Sequence, residues 1–79
     1  MWIRSQDKTE LLKCYRIMTV KEGLEVIGWV GDRQNILLGE YESHERAIQV
    51  LDYIQQFIID CHKCQNDRMF SPVFEMPEE

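Results

Sequence analysis

The stretch that most constrains this chain begins at Ser43. From His44 to about His62 there is no glycine or proline, and apolar residues recur with a helical period. Ser43 suits an N-cap, and Glu45 places a negative charge in the first turn, where the helix dipole favours it. At about 100° per residue, Ala47, Val50, Leu51, Ile54, Phe57, Ile58 and Cys61 fall on one face, which is expected to pack on a sheet. Ile48 and Ile59 point about 120° away from the centre of that stripe, and Tyr53 lies on the opposite flank. The apolar arc is wider than one helix-on-sheet contact needs. A chain of 79 residues buries only about 60% of its unfolded surface, so the surplus has few places to hide.

The sheet comes from the segments around this helix. Trp2 and Ile3 read as a short strand, and residues 11–20 (LLKCYRIMTV) as a long one with apolar residues on both faces. The turn at Lys21-Glu22-Gly23, with Gly23 able to take positive φ, leads to a strand over 24–30. There Ile27 and Trp29 share the face opposite Val26 and Gly28. A turn at residues 31–34 leads to a strand over 35–41, which completes an antiparallel meander. Residues 69–76 read as a last strand, placed at an edge or a bulge by Pro72. The expected fold is a single α+β domain: a small antiparallel sheet, meander plus terminal strands, with one helix across one face. Whether the two terminal strands pair stays open at this point.

Charge narrows the partners. Nine basic against fourteen acidic residues give a net charge of −5, which disfavours direct contact with nucleic acid and suits a basic protein partner. No run of about 18 apolar residues occurs, so no membrane span is expected. The opening residues lack the apolar core of a signal peptide, which points to the cytoplasm. Three cysteines are too few for a disulfide framework and are expected to be reduced there.

The chemistry-bearing motifs are sparse. Cys61-His62-Lys63-Cys64 looks like half of a zinc site, and Cys14 is the one further thiol. His44 starts the same helix, about 25 Å from Cys61, and cannot join them. A fourth ligand is missing, so Cys61, Cys64 and Cys14 form only a weak metal alternative. A redox role is weaker still, because the motif sits at a helix C-terminus, where the dipole does not favour a thiolate. Ser43 beside His44 and Cys61 beside His62 diverge on a helix and make no nucleophile–base pair. No glycine-rich phosphate loop occurs. The chain is expected to be no enzyme and to need no cofactor.

Three segments together carry a resemblance: the opening MWIRSQDK, the central LGEY followed by S-x-E-R-A-x-x-V-L-D-x-I, and the closing VFEMP. They resemble a group of short uncharacterised proteins from Gram-positive bacteria, their prophages and their phages. Residues 13–35 add little to the likeness, and the CHKC motif is not part of it. The resemblance implies a mobile-element setting and no mechanism. Small acidic proteins in that setting act by binding: some block a host defence protein, and others are oligomers that trap a signalling nucleotide. Under either idea Arg4-Ser5-Gln6-Asp7-Lys8 draws notice as a loop able to grip a phosphate or a partner.

The leading expectation is a non-catalytic interaction protein that binds a protein partner and self-associates, as a dimer for preference, through Ile48, Ile59, Tyr53 and Trp29. One alternative is a small oligomeric binder of a phosphorylated molecule such as a signalling nucleotide, using Arg4, Ser5, Gln6, Asp7 and Lys8. The other is a zinc-stabilised domain.

Overall fold

The computed structural model describes residues 1–20, 23–31, 34–63 and 72–79, without the side chains of His62 and Lys63. In chain order the elements are β1 (Trp2–Arg4), β2 (Leu11–Lys13), β3 (Arg16–Thr19), β4 (Glu25–Trp29), β5 (Asn35–Glu40), α1 (His44–Lys63) and β6 (Val73–Glu75). One helix packs against two small three-stranded sheets, one in the order β2-β1-β6 and the other β3-β4-β5. The fold is α+β, as expected, but the expected single sheet is two.

The division falls inside the segment that reads as one long strand. The Cys14 N–H donates to the Met1 carbonyl at 2.8 Å, and the very next amide, Tyr15, donates to the Trp29 carbonyl at 3.1 Å. The chain therefore changes sheets between two adjacent residues. Residues rich in β-formers specify an extended backbone; they do not specify which neighbour it pairs with. The Cys14 side chain is buried at this corner, and a Cβ on Gly28 would come within 2.6 Å of its sulfur. A small thiol facing a glycine lets the corner close.

The meander β3-β4-β5 is antiparallel throughout. Gly23 does take positive φ (76°), and a side chain there would overlap the His44 imidazole at the helix start. A register shift between Val26 and Ile27 moves the pairing from Val26↔Gly39 to Ile27↔Leu37. The terminal strands do pair, and in parallel, with Ile3 opposite Phe74. Among the described residues this is the one departure from antiparallel pairing. Residues 69–71 of the expected last strand lie outside the described residues, and β6 begins at Val73.

The helix starts where its cap predicts. The Ser43 hydroxyl accepts the Arg46 N–H at 3.1 Å, satisfying one of the free amides of the first turn. Ala47, Val50 and Ile54 are buried against Val26, Leu38 and Ile3, and Met76 and Tyr41 complete the core. Phe57 meets Phe74 edge to face at 5.5 Å, so α1 also touches the sheet that holds the chain ends. Ile58 departs from expectation. Assigned by period to the packing face, it is 41% exposed, because it lies a turn beyond Ile54, the last fully buried residue of the stripe.

Candidate functional site

The residues singled out by sequence occupy three separate places. On α1, Ile48, Ile58 and Ile59 are exposed, and the half-buried Leu51 lies between Ile48 and Ile58 around the helix. Positions 48, 51, 55 and 58 follow the 3-4 spacing of a helix-packing seam with Gln55 in it, and the row from Ile48 to Ile59 runs through Asp52 and Gln55. The result is a ridge of isoleucines over three turns, interrupted by two polar residues, beside the core face.

Tyr53 is not part of this ridge. It lies on the other flank, where the Arg46 guanidinium sits 5.6 Å from its ring centroid and 6.0 Å from that of Tyr41. Trp29 is elsewhere again. It lies with Ile27 on the face of β4 away from the helix, opposite Arg16, whose guanidinium is 5.9 Å from the indole. Met18 and Leu37 flank Ile27 on the two neighbouring strands. The Trp29 indole N–H is buried and finds no hydrogen-bond partner among the described residues.

The Arg4–Lys8 segment becomes the turn between β1 and β2, and its polar groups are largely used on the protein itself. Ser5 is buried and makes four bonds. Its amide donates to the Glu10 carbonyl, its carbonyl accepts from Lys8, its hydroxyl donates to Asp7 Oδ1 at 2.7 Å, and that hydroxyl accepts the Glu10 N–H at 3.1 Å. Asp7 Oδ1 also accepts the Thr9 amide and hydroxyl. These donors, the Thr9 amide foremost, stabilise the carboxylate and lower its pKa from 3.8 to about 2. Lys8 takes positive φ (67°) at the tip. Arg4 Nε donates to the Lys8 carbonyl, and Lys8 Nζ lies 3.2 Å from the Glu78 carboxylate.

Gln6 does the most structural work in this turn. Its amide donates to the Leu38 carbonyl at 2.8 Å. Its side chain accepts the Glu40 N–H at 2.8 Å and donates to the Glu40 carbonyl at 2.9 Å. It donates also to the Glu78 carbonyl at 2.8 Å. A primary amide has the donor and acceptor of a peptide group, so Gln6 acts as one residue of a further strand laid against β5. It ties the two sheets and the chain end together.

Beyond Gln6 a groove of about 300 Å³ opens between this turn and β5. Asp7 and Glu10 line one side, and Ile36, Leu37 and Gly39 the other. None of the β5 positions was singled out by sequence. A usable signal existed: the last strand of a meander has one side with no sequential neighbour, so β5 had to be an edge unless a terminal strand covered it.

The cysteines are dispersed in role. Cys14 is a core residue whose thiol pKa is raised by burial. Cys61 is half-buried near the end of α1, and Cys64 lies outside the described residues. Among the described residues no three metal-ligating side chains cluster. No helix there is long and apolar enough to cross a membrane.

The described residues thus define a two-sheet α+β protein with an apolar helix ridge and an acidic strand-edge groove. Comparison with protein-family models, curated proteins and solved structures gives no match.

Proposed function

We propose that this chain is a non-catalytic interaction protein that self-associates through the outer flank of α1 and binds a protein partner. The observation that carries this reading is the ridge of Ile48, Ile58 and Ile59, all exposed on one side of a single helix. Exposed apolar side chains in water are costly, and burying them against a second copy relieves a core that is small for its surface. A parallel or antiparallel pair of α1 helices across a two-fold axis would bury the same ridge on both chains. Tyr53 and Trp29 fall outside this interface, and we assign self-association to the isoleucines alone. The setting suggested by the sequence resemblance, a phage or prophage factor acting on a host protein such as a defence component, fits an acidic binding protein.

The phosphate-binding alternative has less to stand on. Arg4 Nε and Lys8 Nζ already have partners, and the adjoining groove is rimmed by carboxylates, which repel a phosphate.

The test is sedimentation of the wild type against the Ile48→Ser/Ile59→Ser double variant. The wild type is expected to dimerise at micromolar concentration, and the variant to be a folded monomer by circular dichroism. A wild type that stays monomeric at hundreds of micromolar would refute self-association through this ridge.

A further inference from the structure

The edge of β5 is the second surface with unused binding capacity, and its capacity is in the backbone. In an antiparallel ladder, residues alternate between those bonded to the partner strand and those whose N–H and C=O point away. The Tyr41 N–H bonds to Leu24, and the Val30 N–H bonds to Gln34, which fixes the alternation at both ends of β5. Read through the register shift, the outward-pointing residues are Glu40, Leu37 and Asn35, together with the carbonyl of the unpaired Leu38, which accepts the Gln6 N–H. Glu40 gives both its groups to the Gln6 side chain, as that alternation requires. Leu37 and Asn35 find no backbone partner on that side among the described residues. The chain lays one residue, Gln6, against β5 and then turns away at Asp7, and the groove occupies the space where the next residues of a strand would lie.

We propose that this edge binds an extended, basic segment of a partner protein, which continues the strand begun by Gln6 along Leu37 and Asn35. Strand addition of this kind draws affinity from main-chain hydrogen bonds and specificity from alternate side chains. Charge selects the occupant. Asp7 and Glu10 line the groove, and Glu25 stands directly across from Glu40 on β4 and β5. No described cation pairs with any of these four carboxylates. Two like charges side by side across a ladder repel each other until a cation joins them. A second copy of this acidic chain would add carboxylates there, whereas lysine or arginine side chains on the added strand would neutralise them. Leu37, 48% exposed, offers an apolar contact at the centre of the open edge.

The inference rests on reading the chain as an interaction protein, but it does not need the helix ridge. Its test uses the intact protein, isotope-labelled, titrated with a seven-residue peptide of alternating lysine and valine. Three further peptides serve as controls: the same sequence N-methylated at alternate residues in each of the two phases, and one with glutamate in place of lysine. Amide shifts are expected at Asn35, Leu37 and the residue 7–10 turn. N-methylation in one phase is expected to weaken binding about tenfold, as the loss of one or two main-chain hydrogen bonds should. Glu10→Lys should weaken it by a similar factor, and the glutamate peptide should not bind. The proposal is overturned if no shifts appear at millimolar peptide, if both methylated peptides bind as well as the parent, or if the shifts fall on α1. In that last case the chain remains a binding protein with the partner on the ridge. A monomeric wild type with a peptide-binding edge would instead remove the ridge and leave the edge standing.

Discussion

The β1–β2 turn and the outer flank of α1 are opposites. The turn is polar and exposed in sequence terms, the place where a ligand loop would be sought. In the structure its Ser5, Gln6 and Asp7 are tied into bonds with the turn itself, β5 and the chain end. The helix flank is apolar in sequence terms, a surplus that one sheet contact does not cover. In the structure Ile48, Ile58 and Ile59 are left facing water. Polar side chains close in sequence can satisfy one another locally, so a polar cluster says little about availability. Apolar side chains need neighbours from elsewhere in the chain, and a small domain runs out of them.

The contrast can be broken most forcefully on α1 itself. Ile54→Ala, on the buried face, is expected to cost about 2–5 kcal/mol, the usual range for emptying a packed core site. Ile59→Ala, on the exposed flank, should cost well under about 1 kcal/mol when measured by urea unfolding at a concentration where the chain is monomeric. Equal losses would mean that the flank is part of the core and that the ridge reading is wrong.

In the turn, Ser5→Ala removes a hydroxyl that both donates to Asp7 and accepts from Glu10 within a buried setting. A loss of about 1–3 kcal/mol is expected, with the sheet order intact, by the same unfolding measurement. A neutral substitution would show the turn to be a free loop after all.

The smallest expected effect is a pH dependence. Asp7 has a folded pKa of about 2 against an ordinary 3.8, so its charged form is favoured by folding. Its contribution is fully present above the unfolded value and is lost as pH falls through the folded one, from about pH 4 to about pH 2. Asp7→Asn should therefore melt with a shallower decline across that window than the wild type. Because the carboxylate is exposed, salt and water screen it and the difference will be small. Identical slopes would mean that its bonds to Thr9 and Ser5 are not kept in solution.

Much of the secondary structure was legible. Ser43, Glu45 and the unbroken run to about His62 specify α1, His44–Lys63, to within a residue, since caps and period act over a few turns. Gly23 announces its turn because few other residues accept that φ. The break at Cys14 was not legible, since the same extended backbone serves either sheet. Part of the candidate site was legible too. Ile48 and Ile59 follow from helical period alone, whereas Ile58 was placed on the wrong side of a boundary that packing sets.

By itself the sequence determined where the helix lies, that it has more apolar surface than one sheet can cover, and that strands surround it. These are matters of period, capping and composition, all local. The tertiary structure decided that the strands divide at Cys14 into two sheets, that β1 and β6 run parallel, and that Gln6 closes half of the β5 edge and leaves the rest without a backbone partner among the described residues. Each of those is a choice of hydrogen-bond partner across many residues of chain. Every peptide group offers the same donor and acceptor, so only the packed three-dimensional arrangement selects among them.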